Sequence, residues 1–254
     1  MFSQGHYRMQ SAYNLWFLGY PDHAVERAGI ATALTQKSAS KHMLSEVHYW
    51  AAALYELRRE PDHVRARAEA ALAAASEVGN RVIRFLSECS LGWADAMAGD
   101  LEGGIAQMGR WHSRRADNTP VWVLCQLADC LCRMGRIDEG LSTIKESFPI
   151  IERTGGRLFE SEAHRLKGEL LLNQGASKLA QAEQSFRCAI EISRRQKAKS
   201  WELRATTSLA RLLVKQSKRD EARAMLPEIY NWFTEGFATA DLKDAKALLD
   251  ELNN

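Results

Sequence analysis

Cys125, Asp129 and Cys132 stand four and three residues apart, with Cys130 between them. On a helix the first three share one face, and two thiolates with a carboxylate are zinc-ligand types. Structural zinc sites use two Cys-x2–4-Cys-type pairs, and Cys130-x-Cys132 is too short for one. Small buried thiols account for these residues better. The seven histidines are His6, His23, His42, His48, His63, His112 and His164, and none forms a His-Glu-x-x-His pair. Gly-x-Ser-x-Gly is missing, as is Gly-x-x-x-x-Gly-Lys-Ser/Thr. Neither a nucleophile elbow nor a phosphate loop is therefore encoded. No metal, cofactor or catalytic residue is expected, and the chain reads as a non-enzyme.

Composition narrows the classes further. Lys+Arg number 34 against 32 Asp+Glu, with 46% hydrophobic residues. That balance lacks the basic stripe of a nucleic-acid binder. Apolar runs such as 50–55 are far too short to span a bilayer, and the N-terminus lacks the basic start and apolar core of a signal peptide. Five cysteines without framework spacing suit a reducing cytoplasm. With only five prolines and abundant Ala and Leu, helix is the default.

The elements that position these residues repeat. Pro21-Asp22-His23 returns as Pro61-Asp62-His63, 40 residues on. Aligned on their turns, second helices open at Ala24, Val64, Gly104, Gly140, Ala182 and Ala222, in steps of 40, 40, 36, 42 and 40. First helices carry a small residue at Ala12, Ala52, Gly92, Ala128, Gly168 and Ala210, where two helix axes must approach closely. Leu91-Gly92 and Ala182-x-x-x-Phe186 match the tetratricopeptide pattern literally.

The expected fold is all-α, a tetratricopeptide-like α-solenoid forming a right-handed superhelix. It is read as one domain, 1–254, of six hairpins (1–39, 40–79, 80–117, 118–155, 156–198 and 199–237) plus a capping helix, 239–252. Leu242, Ala245, Leu249 and Leu252 form the buried stripe of that cap. Thr119, followed by Pro120, is read as the N-cap of a helix over 121–134. Ser200 and Thr239 are read as caps of helices over 201–214 and the C-terminal lid. Pro149 and Pro227 should kink or shorten their helices. Phe2, Tyr7, Met9, Tyr13, Trp16 and Phe17 make the first hairpin unusually aromatic for an end unit. A preceding segment, or a second copy in a homo-oligomer, is expected to cover it.

The stretches 159–172 (FESEAHRLKGELLL), 182–189 (AEQSFRCA), 194–200 (RRQKAKS), 230–237 (YNWFTEGF) and 239–242 (TADL) carry a resemblance. Together they look like the C-terminal tetratricopeptide region of bacterial multi-domain adenylate/guanylate cyclase-like proteins. The likeness is strong after Gly135 and looser before it. In that family a cyclase or DNA-binding domain and a signalling-type ATPase module precede the repeats. The resemblance implies a sensing or autoregulatory arm whose partners include upstream domains of the same polypeptide.

First helices line the inner groove of this hairpin type. Registering each on its small residue places Tyr13, Trp16, Tyr49, Trp93 and Trp122 there in the N-terminal half. Glu162, Arg165, Glu169, Arg204 and Arg211 follow in the C-terminal half. Aromatic and arginine side chains are common interface anchors, so a peptide segment of a protein partner is the expected ligand. A small anionic metabolite at Arg165, Arg204 and Arg211 is the alternative. Packing of the aromatics between hairpins is the competing structural account. A double reversal, Arg204→Glu with Arg211→Glu, is expected to keep the fold and weaken an acidic partner.

Overall fold

The computed structural model describes residues 4–37, 40–112 and 119–253. The described residues hold helices and no strand: α1 (Gln4–Leu18), α2 (Pro21–Lys37), α3 (Lys41–Arg58), α4 (Pro61–Glu77), α5 (Arg81–Met97), α6 (Leu101–His112), α7 (Val121–Arg133), α8 (Ile137–Thr154), α9 (Glu160–Asn173), α10 (Leu179–Gln196), α11 (Lys199–Lys215), α12 (Arg219–Tyr230) and α13 (Ala240–Asn253). They form two compact units, Met1–Arg110 and Trp111–Asn254. Hairpin limits expected at 39, 117 and 118 lie outside the described residues, as does Phe2.

Consecutive helices pair, α1 with α2, α3 with α4, α7 with α8, α9 with α10 and α11 with α12. The turn that closes these hairpins recurs. Gly19, Arg59, Gly99, Gly135 and Ser217 take positive φ of 92°, 63°, 116°, 77° and 63°. The next N–H reaches back five residues: Tyr20 to Leu15, Glu60 to Tyr55, Asp100 to Asp95, Arg136 to Leu131 and Lys218 to Leu213, at 2.8–3.0 Å. This left-handed closure satisfies carbonyls that the helix end leaves open. The α9–α10 turn differs, with Gly175 at φ 116° leading into a 3-10 turn, Ala176–Lys178.

Second helices start at Pro21, Pro61, Leu101, Ile137, Leu179 and Arg219, three residues before each expected opening. Val64, Gly104, Gly140, Ala182 and Ala222 are instead the first buried positions, and in α2 Pro21 is buried as well as Ala24. Apart from Pro21, the extra turn is exposed or partly buried. Proline at the first helical position needs no N–H partner there, and Asp22, Asp62, Glu102, Asp138 and Asp220 face the helix dipole.

Small residues set the helix approach. A Cβ on Gly104 would stand 2.3 Å from the Gly92 carbonyl oxygen, and one on Gly168 would stand 2.5 Å from the Phe186 ring. The first helices also touch one another, α1 with α3 and α3 with α5 in the first unit. In the second, α7 meets α9, α9 meets α11 and α11 meets α13.

Two cap assignments and one proline effect change. Pro120, not Thr119, is the N-cap of α7, and the Thr119 hydroxyl lies 3.2 Å from His112 Nδ1. Ser200 sits inside the first turn of α11, whose N-cap is Ala198. Thr239 stands at the N-cap of α13 as expected, its carbonyl accepting from the Lys243 N–H at 3.1 Å, while its hydroxyl donates to the Gly236 carbonyl at 2.7 Å. Pro149 leaves α8 unbroken over 18 residues, whereas α12 ends three residues past Pro227. Leu242, Ala245, Leu249 and Leu252 are buried, as the expected stripe requires. Met9, Tyr13, Trp16 and Phe17 are buried inside the first unit, and among the described members of that set only Tyr7 is exposed, at 63%.

Candidate functional site

The ten residues registered to the first-helix face divide sharply. Tyr13, Trp16, Tyr49 and Trp93 are only 8%, 2%, 2% and 5% exposed. Tyr13 meets Trp50 edge-on at 5.4 Å, and Tyr49 meets the same ring at 5.1 Å. These four therefore fill the space where α1, α3 and α5 touch and offer no open ligand surface. Burial also holds the Tyr13 and Tyr49 hydroxyls well above the usual phenol range, with Tyr49 and then Glu56 adding to it at Tyr13, and Glu56 and then Cys89 at Tyr49. Trp122 is half-buried at the start of α7.

The charged residues of the second unit do come together. Arg165 donates two parallel bonds to Glu162, both 2.8 Å, from one turn away on α9, the fork geometry that suits guanidinium to carboxylate. It also reaches Glu169 at 3.4 Å, and Glu169 accepts from the Ser208 hydroxyl of α11 at 2.6 Å. Arg204 on α11 bridges back to Glu162 at 3.4 Å and onward to Asp241 of α13 at 2.5 Å. Its guanidinium lies 4.8 Å from the Trp201 ring centre. The chain of contacts thus laces α9, α11 and α13 together.

The electrostatics follow from that placement. Burial would raise the Glu162 pKa, but Arg165 and Arg204 override it and hold the group down at about 2. Burial would lower the Arg165 pKa, and Glu162 reverses this and raises it. The charges of Arg165 and Arg204 are already matched by Glu162, Glu169 and Asp241. An anionic metabolite would have to break buried pairs to reach them. Arg211 differs: it is 47% exposed and only 3.9 Å from Asp244 at its nearest. In the double reversal, Arg204→Glu would break buried pairs, whereas Arg211→Glu would change a surface cation.

Sequence reasoning missed Asp241, Ser208 and Trp201 as members of this cluster. Trp201 could have been found, since it lies three residues before Arg204 on the same helix face. Asp241 required knowing where α13 docks.

The cysteines are buried or half-buried free thiols. Burial, then Asp129, pushes Cys130 up to about 12 and Cys132 up to about 11. Burial, then Glu162, raises Cys125 as well. Asp129 is bonded to Arg133 at 2.8 Å. Among the described residues no three His, Cys, Asp or Glu side chains are placed to hold a metal ion. An open depression of about 530 Å³ lies along α8, lined by Asp138, Ser142, Lys145, Glu146 and Gln174 among others, with no cysteine or histidine in its wall.

Neither a family model nor a curated protein matches the sequence. Solved structures do. The yeast Tom70 crystal structure superposes with a TM-score of 0.57 at 13% identity, covering 91% of this chain and 43% of that one. The fold is that of the tetratricopeptide repeats. Kinesin light chain tetratricopeptide-like repeats of Podospora anserina (TM-score 0.48, 13% identity, 78% of this chain and 99% of that one) are also similar. So is MamA MSR-1 (TM-score 0.42, 16% identity, 78% and 95%). The chain spans less than half of the Tom70 structure it matches. No described helix is long and apolar enough to cross a membrane.

Proposed function

We propose that this tetratricopeptide-like chain is a non-catalytic scaffold for protein interaction that binds a peptide segment through its first helices. We further propose that it serves as the sensing or autoregulatory arm of a cyclase/ATPase-type signalling protein. One observation carries the first reading. The residues best suited to chemistry, Glu162, Arg165, Glu169 and Arg204, are bonded to one another and to α13. They are part of the framework rather than of a reaction site. The second reading rests on the resemblance of residues 159–172, 182–189, 194–200, 230–237 and 239–242 to the cyclase-like proteins.

The peptide contact belongs to the more accessible rim of the second unit, where Arg211 is exposed and Glu169 partly so. Arg211→Glu is the matched test, because it changes the rim without breaking the buried pairs. Titration of acidic and amphipathic peptides should find a binder whose Kd rises at least tenfold in Arg211→Glu, with an unchanged melting temperature. A melting-temperature rise with one class of small anions, and no peptide binding, would overturn the peptide reading in favour of metabolite sensing.

A further inference from the structure

Among the described residues of the second unit, four large apolar side chains are exposed: Met134 at 38%, Leu158 at 48%, Trp232 at 36% and Phe237 at 50%. Met134 lies in the turn that closes a hairpin. The other three lie on connections between hairpins, Leu158 before α9 and Trp232 with Phe237 between α12 and α13. Scattered single apolar residues need no account on a protein surface, but several along one edge do.

These connections are tied side by side. The Gln196 side-chain amide donates to the Arg157 carbonyl at 2.8 Å, and the Trp201 indole N–H donates to the Leu158 carbonyl at 3.1 Å. The Lys199 ammonium stands 5.9 Å from the Trp232 ring centre. Trp232 meets the buried Phe233 ring edge-on at 5.6 Å, and Phe237 lies 6.2 Å from the Tyr230 ring. The edge thus runs from Leu158 across the α10–α11 connection to Trp232 and Phe237. A frame already tied in place loses little freedom when a partner covers it.

Charge on this edge is uneven. Arg157 pairs with Glu152 and Glu160, and Arg194 and Lys199 both pair with Glu202. Arg195 and Lys197, at the end of α10 and just past it, are exposed and stand outside these pairs.

We propose that this edge docks an acidic segment of a protein partner, whose bulky apolar side chains cover Leu158, Trp232 and Phe237 while its carboxylates meet Arg195 and Lys197. Opposite charge orients such a segment, and covered aromatic side chains anchor it. Glu152 and Glu228 are 68% and 74% exposed on the same edge. A flat anionic lipid surface would meet them as well, whereas a single segment need only meet the two cations. The site is separate from the first-helix rim at Arg211.

Random short peptides displayed on phage and selected on the full chain test this, with enriched peptides measured by fluorescence anisotropy. The expected outcome is a class carrying Asp or Glu beside Leu, Phe or Trp. Its Kd should rise at least tenfold in Arg195→Glu with Lys197→Glu, and likewise in Leu158→Ser with Phe237→Ser, and stay unchanged in Arg211→Glu. Should the apolar pair lower the melting temperature, the charge pair decides alone, because it removes no packed side chain. No enrichment, or enriched peptides whose affinity ignores the charge pair, overturns the proposal. So does binding to phosphatidylserine vesicles that the charge pair abolishes while peptide binding stays unaffected, because the occupant would then be a membrane.

Discussion

Glu162 shows how a single carboxylate can be structural and still look catalytic. Two arginines hold it ionised at about 2 against burial. A depressed pKa favours the fold where the unfolded group is also ionised, above about 4.3. The contribution is fully present there and disappears as pH falls towards 2. Acid titration followed by circular dichroism should show wild type losing stability across that window, by on the order of 3 kcal/mol. Glu162→Gln should be less stable at pH 7 and flatter with pH. Ser217 offers the opposite change. It holds φ at 63° and is exposed, a conformation that favours glycine. Ser217→Gly should raise stability by about 0.5–1 kcal/mol, read from urea unfolding.

At the scale of elements, the hairpin is defined by where it must be thin. The Gly92–Gly104 crossing leaves no room for a methyl group, so Gly104→Ala should cost about 1–3 kcal/mol and broaden the amide signals of α5 and α6. These crossings were legible in the sequence because small residues recur at repeat spacing. Helix starts were legible to within one turn: Ala24 and its equivalents mark burial, and the acidic first turn before them is invisible to an apolar pattern. The burial of the aromatic set was illegible for a different reason. Registering Tyr13, Tyr49 and Trp93 shows that they share a face, but not how closely neighbouring first helices approach across it. Burial was decided by that distance. The Arg204–Asp241 link was hidden similarly, since 37 residues and a loop separate its partners.

At the larger scale, the hairpins within each unit are stabilised both by their own two helices and by the neighbouring hairpin, as in other repeat folds. Ionic links between first helices supplement an apolar core that runs from Cys125 to Leu252 in the second unit. The cysteines contribute as neutral core side chains, so exhaustive treatment with a chelator should leave the melting temperature within a degree. A fall of several degrees would reveal a metal dependence. The central claim is that the buried charges hold this scaffold together rather than act on a ligand. A double-mutant cycle on Arg204 and Asp241 tests it most directly, by denaturant unfolding of Arg204→Ala, Asp241→Ala and the pair. Each single change is expected to cost about 3–5 kcal/mol, and the pair clearly less than the sum. Two singles within about 0.5 kcal/mol of wild type, with costs that simply add, would contradict it.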